Sequence, residues 1–198
     1  MPSLRLFVAI ETPATVTGRL LEVRNALERA GADVRWEPAG KYHCTLHFLG
    51  DTGEGAMRRI IPALEGALHG CSPVRIAYKG IGFFHAGLAP RIVWAGILDE
   101  EGRLASLHER IVTALSSGEL AMEAGRPLVN PAGEPPFHPH MTLGRIKSPR
   151  NSGRLTTIAE TCTFDHPPVI IREVVVVQSV LKSGGSVYTT LRSIPLIA

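Results

Sequence analysis

Polar and apolar side chains alternate most clearly in residues 42–50, and this period of two predicts a β-strand. One face of the strand would carry four side chains, in the order His43, Thr45, His47 and Leu49. The opposite face would be apolar and would pack in the core, through Cys44, Leu46 and Phe48. An imidazole and a hydroxyl two positions apart on one strand face form a rigid polar pair.

A related pattern recurs in residues 138–145. Aligning His140 with His43 places Thr142 on Thr45, and a leucine follows each threonine. A single His-x-Thr triplet often arises by chance. Two copies in matching positions predict instead that the two strands meet at one site.

The remaining pattern predicts short strands and amphipathic helices. Apolar residues at helical spacing predict helices over 13–30, 57–68 and 104–115, and a shorter one within 148–159. Thr12 before Pro13 is typical of an N-cap followed by the first helical residue. Apolar segments rich in strand formers predict further strands over 4–10, 34–36, 72–84, 91–98, 169–181 and 187–194.

The order of these elements contains a weak internal repeat, in which each half reads strand, helix, loop, His-x-Thr strand, helix, strand. The same number of positions separates His43 from Val74 and His140 from Ile171. The repeat predicts a bilobal α+β fold, in which each half forms an antiparallel sheet with outer helices. Pseudo-two-fold symmetry would relate the lobes around a central cleft. Because no low-complexity linker separates the halves, we treat residues 1–198 as a single bilobal domain with an internal repeat.

Composition and charge narrow the class of protein. Of the 198 residues, 44% are hydrophobic and 20% are charged, which is typical of a globular chain rather than a disordered one. A net charge of +3 is compatible with an anionic substrate but is too small for wrapping long nucleic acid. Three cysteines without Cys-x-x-Cys spacing disfavour a disulfide framework and a cysteine-rich zinc site.

Neither a signal peptide nor a membrane span is expected. The apolar run near the N-terminus, residues 6–10, is too short for a signal peptide, and no apolar run approaches the roughly 20 residues that a membrane span needs. We therefore expect a cytoplasmic monomer in a reducing environment.

Two histidines that face each other across a cleft suit a reaction with two proton transfers, such as displacement at a phosphodiester. One imidazole takes a proton from the attacking oxygen and the other gives one to the leaving oxygen, because a pKa of about 6.5 lets both forms exist near neutrality. The hydroxyls of Thr45 and Thr142 would donate hydrogen bonds to the phosphate oxygens, and Arg145 would add a charge-assisted contact. The two motifs are nearly symmetric, so the residues alone do not assign acid and base.

The other histidines near the motifs are weaker candidates for proton transfer. His47 shares the predicted face of His43, and His138 neighbours His140, but neither stands two positions before a threonine. No nearby carboxylate completes a set of three zinc ligands with residues 138 and 140, so neither a metal nor a cofactor is predicted. Aromatic residues in or near loops are the candidates for stacking on a base: Phe83, Phe84 and Phe137.

The paired motifs resemble those of the two-histidine phosphoesterase superfamily, and more closely those of the RNA 2′,3′-cyclic phosphodiesterases, also called 2′-5′ RNA ligases. The resemblance covers nearly the whole chain and is carried by residues 5–10, 34–36, 43–50, 90–96, 137–145 and 179–188. Cys44 stands where leucine is commoner, and we expect little effect on the chemistry because this position faces the core.

The resemblance implies metal-independent hydrolysis of a 2′,3′-cyclic phosphate to a 2′-phosphate, without a cofactor. It assigns His43 as the acid that protonates the 3′ leaving oxygen and His140 as the base that activates water. The groups that would hold the phosphate are Thr45, Thr142 and Arg145. The expected partner is RNA with 2′,3′-cyclic phosphate ends, tRNA halves among them, or a cyclic nucleotide. The reverse reaction would join RNA ends through a 2′-5′ linkage.

Two other functions stay open at this point. One is a non-catalytic protein that binds RNA ends in the same cleft. The other is a phosphodiesterase for a different small cyclic phosphate, since the motifs specify the phosphate and not the base.

Overall fold

The computed structural model describes residues 3–117, 120, 122–123, 126–130, 136–183 and 185–197. Its helices are α1 (Ala14–Glu28), α2 (Glu54–Leu68), α3 (Arg103–Leu115) and α4 (Ser152–Thr161), with a 3₁₀ turn at Ala39–Lys41. Its strands are β1 (Ser3–Glu11), β2 (Val34–Trp36), β3 (His43–Gly53), β4 (Val74–Ala86), β5 (Ala89–Leu98), β6 (Met122–Glu123), β7 (Arg126–Pro127), β8 (His140–Ile146), β9 (Asp165–Ile171), β10 (Glu173–Lys182) and β11 (Gly185–Pro195). None of these helices is long and apolar enough to cross a bilayer.

Two antiparallel sheets form the framework of the molecule. The first sheet has the strand order β11-β10-β1-β3, and the second has the order β2-β8-β5-β4-β9. Neighbouring strands in both sheets run antiparallel. β6 and β7 form a separate short ribbon. The predicted α+β fold with two antiparallel sheets is confirmed.

The two sheets repeat one arrangement outward from the motif strands. Beside β3 lie β1, β10 and β11 in turn, and beside β8 lie β5, β4 and β9. The second sheet adds β2 on the other side of β8. This correspondence is the predicted pseudo-two-fold symmetry, and it places the two motif strands in equivalent positions.

The two lobes do not coincide with the two halves of the chain. β4 follows α2 in sequence but joins the second sheet, whereas β10 pairs with β1 in the first sheet. The expectation that each half forms its own lobe is therefore wrong. The predicted strand over 169–181 is also two strands, because β9 ends in the second sheet and β10 begins in the first. The exposed Arg172 lies between them, and the valine- and isoleucine-rich stretches on both sides of it conceal this crossing.

One contiguous core joins the helices to both sheets. α1 buries Val16, Leu20, Val23 and Leu27, and α3 buries Leu104, Leu107, Ile111 and Leu115. This spacing of three and four residues is the apolar stripe of an amphipathic helix. Strand residues from both sheets belong to the same cluster, among them Leu6, Val8, Ile76, Val93 and Leu143. Burying one such side chain stabilises the fold by about 1.5–3 kcal/mol.

Thr12 does not cap α1, contrary to the expectation from its sequence position. The helix begins after Pro13 without a side-chain hydrogen bond at its N-cap. The Thr12 hydroxyl donates instead to Sδ of Met141 at 2.7 Å. This contact ties the start of α1 to β8, beside the second motif.

Candidate active site

A β-bulge lies directly after the first motif threonine. In the β1–β3 pair, Thr45 is opposite Ala9 and His47 is opposite Val8. Leu46, between them, has no partner. One extra residue reverses the alternation of faces beyond it.

The β5–β8 pair contains the same irregularity at the equivalent position. Thr142 is opposite Trp94 and Gly144 is opposite Val93, which leaves Leu143 as the extra residue. Both motif strands therefore contain a bulge directly after the motif threonine. It brings the fifth residue after each motif histidine back to the face of that histidine.

The bulges reverse the strand faces predicted for the residues that follow the motif threonines. Phe48, expected in the core, is 65% exposed and lines the cleft. His47, expected beside His43, is buried, and its Nε2–H donates to the carbonyl oxygen of Leu128 at 2.9 Å. Both expectations were wrong for one reason, since strict alternation contains no bulge. The equivalent shift in β8 directs Arg145 into the cleft.

All five side chains singled out in the sequence line one cleft of about 590 Å³ between the two sheets: His43, Thr45, His140, Thr142 and Arg145. The other lining residues come from both lobes and include Arg5, Phe7, Glu37, Lys41, Phe48, Phe84, Ser179, Leu181 and Tyr188. The fold thus brings the two motifs together, as the sequence predicts.

Each motif histidine is held by the carbonyl oxygen two residues before it. Nδ1 of His43 lies 2.7 Å from the carbonyl oxygen of Lys41, and Nδ1 of His140 lies 2.7 Å from that of His138. A carbonyl oxygen only accepts, so each Nδ1 carries a proton and each Nε2 is left for proton transfer. Nε2 of His43 lies 3.1 Å from the hydroxyl oxygen of Thr45.

Aromatic rings restrain both imidazoles. Phe7 stacks on His43 with ring centroids 4.8 Å apart, and Tyr188 meets the same imidazole edge-on at 5.4 Å. Phe84 stands perpendicular to His140 at 4.7 Å. Packing that restricts ring rotation keeps each Nε2 in a fixed position, which positioned proton transfer requires.

Burial lowers the pKa of both motif histidines, while nearby charges act differently on the two. At His43 burial is opposed by the backbone hydrogen bond and by the Glu37 carboxylate, which both raise the pKa. At His140 burial is opposed by the backbone hydrogen bond but reinforced by the charges of His138 and Arg145, which lower the pKa. Apart from the repulsion that His140 exerts on His43, the neighbours favour a protonated His43 and a neutral His140.

Glu37 is a residue of this cleft that motif spacing did not reveal. Its Oε1 lies 3.9 Å from Nε of Arg145, and its backbone N–H donates to the carbonyl oxygen of Leu143 at 2.8 Å. Arg5 and Lys41 also line the cleft, so cations outnumber carboxylates among its described lining residues. Such a balance suits a phosphate group.

The remaining candidates from the sequence lie beside the cleft or away from it. The exposed His138 packs its ring on Trp94 at 4.9 Å and is not among the described residues that line the cleft. Phe84 lines the cleft, whereas Phe83 and Phe137 pack against the core. Sequence reasoning therefore identified one aromatic residue of the cleft, Phe84, and missed three others: Phe7, Phe48 and Tyr188.

Cys44 faces the core, as expected from its position in the strand. Its thiol is buried, and burial raises its pKa to about 12. The thiol is therefore a packing group rather than a nucleophile. Within the described ranges, no three His, Cys, Asp or Glu side chains gather as metal ligands would.

Comparisons with known proteins agree with this architecture. Residues 10–94 match the model of the family described as LigT like Phosphoesterase. An RNA 2′,3′-cyclic phosphodiesterase of Methanothermobacter thermautotrophicus is 30% identical over 188 residues, which cover 94% of this chain and 96% of the relative. Another protein of that name, from Aeropyrum pernix, is 28% identical over 177 residues, or 89% of this chain and 94% of the relative.

A solved structure extends the agreement to the whole fold. The crystal structure of a protein from Thermus thermophilus covers 97% of both chains with a TM-score of 0.77 at 25% identity. The similarity in sequence and in fold thus spans both lobes and both motif strands. The chain therefore belongs to the LigT-like phosphoesterase family, which includes the RNA 2′,3′-cyclic phosphodiesterases.

Proposed function

We propose that the protein hydrolyses RNA 2′,3′-cyclic phosphate ends to 2′-phosphates, with His43 as acid, His140 as base and no metal ion. The observation that carries this proposal is that both imidazoles and both motif hydroxyls line one cleft, and that cations outnumber carboxylates among its described lining residues. The shared name of the curated relatives supports the substrate class.

The reaction needs two proton transfers around one displacement at phosphorus. Nε2 of His140 accepts a proton from water as the water oxygen forms its bond to phosphorus. The bond from phosphorus to O3′ breaks, and Nε2–H of His43 gives its proton to O3′. The product is a 2′-phosphate with a free 3′-hydroxyl, and proton exchange with solvent restores both imidazoles. Each positioned acid or base contributes about 10²–10⁴ in rate.

The surroundings of the two imidazoles support this assignment of acid and base. Catalytic pairs are recognised by environments that push their two pKa values apart. The Glu37 carboxylate favours the protonated form of His43. The charges of His138 and Arg145 favour the neutral form of His140.

We assign three side chains to the negative charge that grows on the phosphate oxygens. The hydroxyls of Thr45 and Thr142 and the guanidinium of Arg145 line the same cleft as the two imidazoles. Once His43 is protonated, its Nε2 no longer accepts from Thr45, so that hydroxyl is free to donate to phosphate. Donors fixed in advance act most strongly on the transition state.

The exposed ring of Phe48 is our candidate to stack on the terminal base. Stacking on an aromatic ring tolerates every base, because each base has a π-face. Candidate substrates include RNA fragments such as tRNA halves, and a monomer suffices because one chain builds the cleft. With a 5′-hydroxyl of a second RNA in place of water, the same step would give a 2′-5′ linkage.

Product analysis tests the proposal directly. An RNA oligonucleotide with a 2′,3′-cyclic phosphate end is incubated with the protein and excess chelator, and the new end is identified as a 2′- or a 3′-phosphate. We expect the wild type to form a 2′-phosphate, and His43→Ala to do so at least about 10² more slowly. Tight binding without conversion would support a non-catalytic RNA-end binder instead. A 3′-phosphate product, or turnover only of another cyclic phosphate, would contradict the proposal.

A further inference from the structure

A second cavity of about 390 Å³ adjoins the cleft on the side of His43. It is lined by residues of β1, the start of α1, the 3₁₀ turn, β10 and β11. Four residues line both this cavity and the cleft: Phe7, Lys41, His43 and Tyr188. The two spaces therefore adjoin at one motif histidine, and the steps of the proposed hydrolysis do not use the second one.

The floor of this second cavity is apolar. Phe7, Ala9, Val175 and Val177 form a small cluster of their own, distinct from the main core, with Tyr188 packed against it. All four line the cavity. An apolar floor beside an aromatic ring is the kind of surface on which a nucleobase can rest.

The rim of the cavity is polar and carries charges of both signs. On one side, Oε1 of Glu11 accepts a hydrogen bond from the Thr190 hydroxyl at 3.3 Å. At the boundary with the cleft, Nζ of Lys41 lies 5.6 Å from the centroid of the Tyr188 ring. A carboxylate suits a hydroxyl or an amino group, whereas an ammonium suits a phosphodiester. The rim thus offers different contacts for a nucleoside and for a backbone phosphate.

We infer that this cavity is a subsite for the nucleoside immediately 5′ of the cyclic-phosphate nucleotide. The inference rests on the proposed function, in which His43 serves the ribose oxygen that leaves. The terminal ribose then lies on the His43 side, and the RNA chain continues from it towards this cavity. Lys41 neutralises the linking phosphodiester, the apolar floor receives the penultimate base, and Glu11 accepts from a hydroxyl of its ribose. The natural substrate class is accordingly an RNA end of at least two nucleotides, rather than a mononucleotide.

Two neighbouring threonines of β11 allow a matched test. Thr190 lines the cavity and pairs with Val177, whereas Thr189 pairs with Gln178 and points to the other face of the strand. Both are exposed, so a tryptophan at either position is compatible with folding. Thr190→Trp fills the cavity, and Thr189→Trp is the control. Thr17→Trp narrows the cavity from α1 and gives a second, independent block.

The measurement is kcat/KM for a dinucleotide ending in a 2′,3′-cyclic phosphate, divided by that for the corresponding mononucleoside cyclic phosphate. We expect a wild-type ratio of at least about 5, the lower bound for stacking one base. Thr190→Trp and Thr17→Trp should bring this ratio close to one, and Thr189→Trp should keep it. A wild-type ratio near one, or equal loss in the Thr189→Trp control, would overturn the subsite.

A binding measurement separates the failure of this inference from the failure of the proposed function. The dissociation constants of a dinucleotide and of a mononucleotide, both with a terminal 2′-phosphate, are measured on the wild type and the three variants. Tighter binding of the dinucleotide that only the two blocking variants abolish supports the subsite even where no cyclic phosphate is hydrolysed. Equal affinities overturn the subsite even where hydrolysis proceeds as proposed.

Discussion

The two motif strands have the same backbone arrangement, with a bulge at the same position. They differ in the residue that this bulge directs into the cleft. Five positions after the histidine, β3 presents the ring of Phe48 and β8 presents the guanidinium of Arg145. A repeated structure can therefore keep its two motif histidines in equivalent positions while the side chains around them diverge. In the proposed function, one lobe offers a surface for a base, and the other offers a charge for the phosphate.

The surroundings of the two histidines diverge in the same way. His43 lies between Phe7 and Tyr188 and next to the acidic Glu37. At His140 the charges of His138 and Arg145 lower the pKa instead. Symmetric motifs alone do not tell acid from base, so the asymmetry of their neighbours carries the assignment.

The largest expected effect comes from removing either imidazole. His43→Ala and His140→Ala should each lower kcat by at least about 10², since each removes a positioned acid or base. The two variants should differ on a cyclic phosphate in which sulfur replaces O3′. A thiolate leaves readily without a proton, because thiols have a pKa of about 8.5. Turnover of this substrate by His43→Ala should recover, and turnover by His140→Ala should not.

Rescue of His140→Ala instead would reverse the assignment of acid and base. His138→Ala serves as the control for this pair of variants, because its ring packs on Trp94 beside the cleft. It should lose far less activity than His140→Ala on both substrates, because the His138 imidazole acts on His140 only through its charge. A loss as large as that of His140→Ala would mean that the wrong histidine of the second motif has been chosen.

The next effect distinguishes Arg145 from Phe48. Arg145→Gln should lower kcat/KM by about 10–10², since a hydrogen bond to a charged group contributes about 1.5–3 kcal/mol. The loss should be the same for a nucleoside 2′,3′-cyclic phosphate and for ribose 2′,3′-cyclic phosphate without a base. Phe48→Ala should lower kcat/KM only for the first substrate, by the factor that corresponds to about 1–3 kcal/mol of base stacking. Equal losses of Phe48→Ala on both substrates would count against its role in stacking.

A smaller effect concerns the support of His140 in the second lobe. A Cβ atom at Gly82 would overlap the indole of Trp94, whose ring packs against Phe84 and His138. Gly82→Ala should therefore lower the free energy of unfolding by about 1–3 kcal/mol, as overpacking does. Gly55→Ala is the control, because a Cβ atom at that exposed position of α2 meets open space. Denaturant titration of both variants checks this, and equal stabilities would contradict it.

The sequence predicted the parts of the molecule that depend on local pattern. Helix periodicity placed the third helix over 104–115, and the structure has α3 at Arg103–Leu115. The repeat of His-x-Thr identified five side chains that line one cleft, although they lie on two strands far apart in the chain. Both successes rest on short patterns, a helical spacing and a repeated triplet, that are visible among residues close together in the chain.

The sequence concealed what depends on pairing between distant strands. The extra residues of the bulges, Leu46 and Leu143, are apolar and continue the alternation, so Phe48 was assigned to the wrong face. Glu37 follows β2, and only the pairing of β2 with β8 brings it to Arg145. No spacing within the chain signals such a contact.

The smallest expected effect is a shift of one limb of the pH profile. In the free enzyme, the alkaline limb of kcat/KM reports loss of the proton from the acid, and the acidic limb reports protonation of the base. Burial lowers the pKa of both histidines, so both limbs should lie below the ordinary histidine pKa of about 6.5. Glu37→Gln removes a carboxylate that raises the pKa of His43, so the alkaline limb should move to lower pH while the acidic limb stays. Glu160→Gln, an exposed change on α4, should move neither limb. Movement of the acidic limb in Glu37→Gln would make His43 the base, and the asymmetry between the two motifs would then run the other way.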